Sequence, residues 1–108
     1  MAKLEQMGRW SEPGLLVLAS LAEGEKHGYA MVSDIEAMAG VHLGPGTLYG
    51  ALSRLEEQGL IAALAAEGRR RPYRLTGAGA RVLREQLTTI AAVADTGLSR
   101  LRATPVGA

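Results

Sequence analysis

The stretch GPGTLYGALSRLEEQG, residues 44–59, decides the fold of this chain. Pro45 is suited to the first turn of a helix, because its ring presets the helical backbone angle and no needed hydrogen-bond donor is lost. Leu48, Leu52 and Leu55 recur at helical spacing and form one apolar stripe. The glycine that closes the stretch is a typical helix end. The stretch therefore predicts an amphipathic helix with its leucine stripe in a core.

The opposite face of this third predicted helix carries small, hydroxylated and basic side chains. They are Gly46, Thr47, Tyr49, Gly50, Ser53 and Arg54. Small groups let a backbone approach DNA closely, while hydroxyls and a guanidinium bind phosphates and base edges. Tyr49 has an alternative place in the core, at the flank of the leucine stripe. Glu56 and Glu57 follow and repel phosphate, so only the earlier part of the helix is expected to enter a groove.

Two more helices are predicted before this stretch. Residues 12–23 are apolar nearly all round, with Ser11 as a candidate N-cap, which indicates a buried helix. Residues 29–39 place three apolar side chains on one stripe, and Gly40 follows where a helix would end. Three short helices therefore precede the rest of the chain.

The start of the second helix supplies further candidate phosphate ligands. Lys26 and His27 precede it, and helix N-termini attract phosphate. Tyr29, in the first turn, either contacts DNA or packs against the third helix. A metal site on His27 and His42 is not expected, because the sequence contains no cysteine and no spaced carboxylate partner for them. No cofactor is expected.

A β-hairpin is predicted after the third helix, where the apolar period changes from about 3.6 to 2. Its strands are residues 60–65 and 72–75. The loop between them holds three consecutive arginines, Arg69, Arg70 and Arg71. Such a cluster is typical of contacts to a phosphate backbone, with a solvated loop as the alternative. Tyr73 is expected either to cover the base of the hairpin or to contact DNA.

A long last helix is predicted after Thr76, a suitable N-cap. Its apolar positions are spaced close to a heptad seam and are Leu83, Leu87, Ile90, Ala94, Leu98 and Leu101. A helix of about 27 residues is roughly 40 Å long, more than the rest of a small domain covers. We therefore expect a second copy of the chain to pack on the seam. Leu4, Met7 and Trp10 are expected to pack on the partner's last helix, with a ligand platform at Trp10 as the alternative.

Composition and charge narrow the class of protein. The 108 residues are 47% hydrophobic and 21% charged, which excludes a disordered chain, and no apolar run is long enough to span a membrane. The net charge of +1 excludes a histone-like protein, yet residues 1–67 carry −5 and residues 68–108 carry +6. Cysteine is absent and the first residues do not form an apolar signal core, so we expect a cytoplasmic protein. The G-x-S-x-G, P-loop and H-E-x-x-H patterns are also absent, so an enzyme is not expected.

Several motifs together resemble the PadR family of transcriptional regulators. They are His27-Gly28-Tyr29, Gly44-Pro45-Gly46-Thr47-Leu48-Tyr49-Gly50-Ala51-Leu52 with Arg54-Leu55-Glu56, Gly59-Leu60-Ile61, Glu67-Gly68-Arg69-Arg70-Arg71, Tyr73 and Leu75-Thr76. The resemblance spans residues 15 to about 84 and implies a winged helix-turn-helix, with the third helix in the DNA major groove and the hairpin on the flanking backbone. It also implies a homodimeric repressor that binds inverted-repeat operators and dimerises through its terminal helices.

The expected fold is mostly helical with a small β-hairpin: a winged helix-turn-helix followed by a long dimerisation helix. Residues 1–75 are expected to form the DNA-binding domain with an N-terminal helical arm, residues 76–103 the dimerisation helix, and residues 104–108 a flexible tail. The sequence neither predicts nor excludes the binding of a small-molecule effector. The alternative function is a winged-helix interaction module that binds an acidic protein partner. Salt-dependent binding to an inverted repeat distinguishes the two functions, because an acidic partner does not need that DNA sequence.

Overall fold

The computed structural model describes residues 12–104 and residue 107. Three residues predicted to line a dimer interface lie outside this range: Leu4, Met7 and Trp10. Most of the predicted tail, residues 104–108, also lies outside the described residues.

Four helices and three short strands make up the described part of the chain. In chain order they are α1 (Pro13–Leu21), β1 (Lys26–His27), α2 (Gly28–Ala39), α3 (Pro45–Glu57), β2 (Ile61–Ala63), β3 (Pro72–Leu75) and α4 (Gly77–Ala103). The fold is therefore mostly helical with a small sheet and a long last helix, as predicted. No helix within the described residues is both long and apolar enough to cross a membrane.

The helix starts follow the local chemistry with one exception. Pro45 lies in the first turn of α3, as predicted. The hydroxyl oxygen of Thr76 accepts a hydrogen bond from the backbone N–H of Gly79 at 3.0 Å, so Thr76 caps α4 as predicted. Glu12 occupies the N-cap position of α1 without a side-chain hydrogen bond, and Ser11, the predicted cap, lies outside the described residues.

The sheet contains one strand more than the predicted hairpin. Its order is β1-β3-β2, and both neighbours run antiparallel to β3. In the additional strand, Lys26 lies opposite Tyr73. Two residues are too few to show an apolar alternation, so β1 has no signal in the sequence. The predicted strand over residues 60–65 is shorter in the structure, Ile61–Ala63.

One core lies between α1, α2, α3 and the start of α4. The largest fully buried apolar side chains are Val17, Leu21, Met31, Ile35, Leu52 and Ile61. The leucine stripe of α3 is buried as its spacing predicts. Burial of this stripe leaves the opposite face of α3 exposed beside the sheet.

Helix α4 has a packed start and an exposed outer part. Leu83 is 5% exposed and belongs to the core of the chain, so its assignment to a dimer seam is wrong. Leu87 is 42% exposed, and every side chain over residues 91–103 is exposed. The part of the seam that the described residues leave uncovered therefore begins near Leu87.

Candidate nucleic-acid interface

Three elements meet in a notch: the N-terminus of α2, the outer face of α3 and the loop of residues 64–71, which we call the wing. The notch is lined by His27, Gly28, Tyr29, Tyr49, Arg69, Arg70, Arg71 and Tyr73. All of these except Gly28 were predicted as DNA-binding residues from the sequence. The fold thus brings together three segments that lie far apart along the chain.

The tip of the wing is a tight turn, and the arginines in and beside this turn are exposed. The backbone N–H of Glu67 donates to the carbonyl of Arg70 at 2.6 Å, and that of Arg70 donates to the carbonyl of Glu67 at 3.0 Å. Gly68 follows Glu67 with a φ of 63°, a left-handed value that strains most other residues. Glycine at this position suits a two-residue hairpin turn, whose twist matches that of the flanking strands. Arg69, Arg70 and Arg71 are exposed as a result.

His27 lies between the wing and α2. Its Nδ1 accepts from the backbone N–H of Ala30 at 3.4 Å, and its Nε2 lies 3.5 Å from the Arg70 guanidinium. A neutral imidazole has one acceptor nitrogen, so it cannot accept from both neighbours. When Nδ1 caps the helix, Nε2 carries the proton and becomes a donor beside the donors of Arg70. Two adjacent donors of this kind suit an anionic oxygen such as that of a phosphate.

The two exposed tyrosines of the notch do not lie in the core. Tyr49 is 54% exposed, and its hydroxyl lies over Gly28, where a Cβ would be 3.0 Å from it. A Cβ at this position would be in tighter than ordinary van der Waals contact with Tyr49, so glycine lets the phenol lie close to the start of α2. Tyr29 is 78% exposed, which excludes the alternative that it packs against α3.

Tyr73 forms part of the floor of the notch. Its side chain is half-buried and packs partly against the core. Burial raises the pKa of Tyr73; the Glu56 carboxylate also raises this pKa, whereas the Arg71 guanidinium lowers it. The phenol therefore keeps its proton to a higher pH than a freely hydrated tyrosine, and the neutral phenol can donate a hydrogen bond.

Lys26 is not available as a phosphate ligand, so this prediction is wrong. Its side chain is 15% exposed, and its ammonium group donates to the carbonyl of Ser20. The same group lies 3.5 Å from a carboxylate oxygen of Glu23 and 3.7 Å from one of Asp34. Asp34 also accepts from the Ser20 hydroxyl at 2.6 Å. The cation thus joins α1, β1 and α2, and the sequence gives only a weak hint of this in the acidic residue three positions earlier.

The remaining predicted residues of α3 lie outside the notch, most of them along the exposed face of the helix. Gly46, Thr47 and Ser53 are exposed, and Gly50 is partly buried. Arg54 lines a cleft on the α1 side of the helix, so it lies away from the wing. The predicted set therefore divides into the notch residues and a strip along α3.

His42 does not line the notch. Its Nδ1 lies 3.6 Å from a carboxylate oxygen of Glu36, and both side chains are largely exposed. His27 is instead a notch residue. Over residues 12–104, no group of three or more His, Cys, Asp or Glu side chains is arranged to hold a metal ion.

Comparison with known proteins assigns the chain to a family. Residues 17–85 match the Transcriptional regulator PadR-like family. The chain belongs to the PadR family. The matched residues run from α1 to the packed start of α4 and include the whole notch. PadR family members are transcriptional regulators and not enzymes, so the prediction of a non-enzyme is confirmed.

Curated relatives match this chain by sequence, and two of them show how much of each protein is shared. A protein of Streptomyces fradiae described as an uncharacterized 37.1 kDa protein in transposon TN4556 is 46% identical over 83 residues, covering 77% of this chain and 24% of that protein. The transcriptional regulator YqjI of Escherichia coli K12 is 31% identical over 96 residues, covering 87% of this chain and 44% of that protein. The chain therefore spans less than half the length of these relatives.

Solved structures of the family share the fold. A PadR family transcriptional regulator from Eggerthella lenta superimposes with a TM-score of 0.72 at 36% identity, covering 94% of this chain and 90% of that chain. A PadR-like transcription factor from Bacteroides fragilis gives a TM-score of 0.72 at 21% identity, covering 89% of this chain and 96% of that chain. These likenesses confirm the predicted winged helix-turn-helix with its long last helix.

Proposed function

We propose that this PadR family chain is a sequence-specific DNA-binding regulator, and that it acts in the cytoplasm as a homodimeric repressor on an inverted-repeat operator. The observation that carries the proposal is the notch, which sets the wing arginines beside the N-terminus of α2 and Tyr49 of α3. Over residues 12–104, no carboxylate forms an ion pair with Arg69, Arg70 or Arg71. Exposed guanidinium groups of this kind attract a phosphate backbone.

The two parts of the predicted site have different roles in this proposal. The exposed strip of α3, the recognition helix, enters the major groove and reads base edges through its hydroxyl and small side chains. The wing arginines bind phosphates or the adjacent minor groove and contribute affinity with little sequence preference. His27 Nε2 and the Arg70 guanidinium bind one phosphate together. The acidic end of α3, Glu56 and Glu57, stays outside the groove.

Dimerisation completes the proposed site. Leu87, Leu98 and Leu101 are 42%, 54% and 60% exposed and follow one face of α4, together with Ile90 and Ala94. A contiguous apolar strip exposed on a monomer is an aggregation hazard, and pairing with the same strip of a second copy removes it. A two-fold pair presents two recognition helices to half-sites about 34 Å apart. Such a dimer represses by occupying DNA that the transcription machinery needs.

The test is fluorescence anisotropy with a duplex that carries the inverted repeat found upstream of the chain's own gene. A shuffled duplex of equal length and composition is the control. We expect about 10³-fold tighter binding to the inverted repeat, and affinity for both duplexes that falls between about 50 and 200 mM salt. Equal affinity for the two duplexes contradicts sequence-specific regulation. Binding to polyglutamate and to neither duplex supports the protein-interaction alternative.

A further inference from the structure

Helix α4 is joined to the rest of the chain at the place where α3 ends, β2 begins and β3 ends. The backbone N–H of Thr76 donates to the carbonyl of Leu60 at 3.1 Å. The hydroxyl of Thr76 donates to the carbonyl of Gly59 at 2.7 Å and accepts from the N–H of Gly79 at 3.0 Å. One threonine thus bonds the residues that follow the recognition helix to the first turn of α4. We call these four residues the joint.

The joint is also a contact between two backbones. A Cβ on Gly79 would lie 2.0 Å from the carbonyl oxygen of Leu60, far closer than atoms can approach. The nearest atom belongs to the backbone and not to the end of a flexible side chain, so a side chain cannot simply move aside to make room. The other described glycines of α4 differ, because a Cβ on Gly77 would have Arg81 Nη1 at 3.8 Å as its nearest neighbour and one on Gly97 would have none within 4 Å. The start of α4 is therefore fixed in position against the backbone of Leu60, and it is fixed at Gly79 alone among the described glycines of the helix.

The contacts that hold α4 do not extend along its length. Val82 and Leu83 pack on the core, whereas the side chains of residues 91–103 are all exposed. The direction of the exposed part relative to α3 is therefore set by the joint and by the packed turns next to it.

In a dimer paired through α4, a small change of angle at the joint therefore becomes a large displacement further along the helix. Ala94, within the exposed strip, is about 22 Å along the helix from Gly79. A tilt of about 10° at the joint displaces that point by about 4 Å, close to one base-pair step of roughly 3.4 Å. A joint that allows such tilting thus makes the distance between the two recognition helices vary by about the rise of one base pair.

We propose that Thr76 and Gly79 are positioning residues that determine which spacing between half-sites the protein accepts. The inference rests on the proposed function, since it requires two copies paired through α4 and bound to DNA. Neither residue needs to touch DNA. They act by fixing the angle between the recognition helix and the dimerisation helix.

The test compares three substitutions. For each variant, affinity is measured for operators in which one base pair is removed from, or added to, the spacer, which is the DNA between the two half-sites. Thr76→Val removes both hydroxyl hydrogen bonds and keeps the branched shape, whereas Thr76→Ser keeps the hydrogen bonds. Thr89→Val is the matched control, because it removes an exposed hydroxyl that donates to the Glu85 carbonyl at 3.1 Å in the same helix.

For the wild type, Thr76→Ser and Thr89→Val, we expect each spacer change to weaken binding about tenfold. For Thr76→Val, we expect a loss of about threefold or less, because a looser joint tolerates the altered spacing. A uniform loss of affinity with unchanged spacer preference shows a merely structural role and overturns the proposal. If Thr76→Val does not fold, Thr76→Asp replaces it, since aspartate caps helices well but cannot donate to Gly59.

A second measurement needs no DNA. The chain has no cysteine, so Ser33→Cys on the exposed side of α2 gives one spin label per protomer. Electron–electron distance measurement is expected to give a narrow distribution in the wild-type and Thr89→Val dimers and a broad one in Thr76→Val. A dimer with the same distribution in all three overturns the role of the joint and leaves the proposed function standing. A monomeric wild type overturns both.

Discussion

The packed start and the exposed outer part of α4 carry the same residue type at the same spacing, yet they differ in what covers them. Leu83 is 5% exposed, whereas Leu98 is 54% and Leu101 60% exposed. The first is covered by the core of its own chain, and we propose that a second copy covers the other two. An apolar stripe thus shows that a helix face needs cover, but only the fold shows which molecule supplies that cover.

The largest effect is expected from a charge in the exposed part. Leu98→Asp places a carboxylate in the proposed dimer seam, so we expect a monomer that binds the operator about 100-fold more weakly or worse, because it engages a single half-site. Ser99→Asp, one residue on and off the seam, is the control and should stay dimeric. Sedimentation equilibrium and anisotropy on the same preparation check both points. A dimeric Leu98→Asp with wild-type affinity contradicts the assignment of the seam.

Truncation of leucines in the two regions tests the same comparison through stability. In the Leu98→Asp monomer, Leu52→Ala should lower the free energy of unfolding by about 2–5 kcal/mol, because Leu52 is 1% exposed and leaves a cavity. Leu101→Ala in the same background should change it by less than about 0.5 kcal/mol. Urea denaturation followed by circular dichroism measures both values. Equal losses would mean that the outer part of α4 packs on its own chain.

The sequence predicts elements well where the signal is local. Pro45 with the leucine stripe defines α3, and Gly68 among arginines defines the wing, because backbone conformation and amphipathic period are properties of neighbouring residues. The strand of Lys26 and His27 has no such signal, since two residues form a strand only when β3 lies beside them. The prediction that Leu83 belongs to the dimer seam is wrong for the same reason. Its spacing is that of the seam, and its burial depends on the core of the chain, where α1 packs against α4.

Side-chain direction is the second limit of the sequence. A basic residue beside a helix N-terminus attracts phosphate in principle, and both Lys26 and His27 meet that description. Lys26 instead turns toward Ser20 and Asp34, which the fold brings within reach from α1 and α2. His27 faces the wing. Both are basic residue types beside the same helix N-terminus, so only the packed structure separates them.

The wing arginines should contribute affinity without specificity. Replacement of Arg69, Arg70 and Arg71 by alanine is expected to weaken binding to operator and random duplex alike by about 10- to 100-fold and to lower the salt slope by about one per lost contact. Alanine at three exposed arginines of α4, Arg81, Arg84 and Arg102, changes the net charge equally and is the control. An unchanged salt slope in the wing variant removes the wing from the interface.

Lys26 and Arg70 should give opposite results. Lys26→Met leaves the Asp34 carboxylate without its cation, so the free energy of unfolding should fall by about 1–3 kcal/mol while the salt slope stays unchanged. Arg70→Met should lower the salt slope by about one and leave stability within about 0.5 kcal/mol of the wild type. A lower salt slope in Lys26→Met would restore this residue as a phosphate ligand.

The smallest effect concerns Tyr73 at high pH. Burial first, and the Glu56 carboxylate second, raise the pKa of Tyr73 above its ordinary value of 10.0. The unfolded chain therefore loses this proton before the folded chain does, so the stability linked to the neutral phenol is present below pH 10.0 and is lost as pH rises above it. Tyr73→Phe has no proton to lose, and its free energy of unfolding should fall less steeply between about pH 9 and pH 11. Other groups titrate in this range in both proteins, so the difference between the two slopes isolates the phenol. Glu56→Gln removes the second cause and should give an intermediate slope, whereas equal slopes for wild type and Tyr73→Phe would show that Tyr73 is as hydrated as in the unfolded chain.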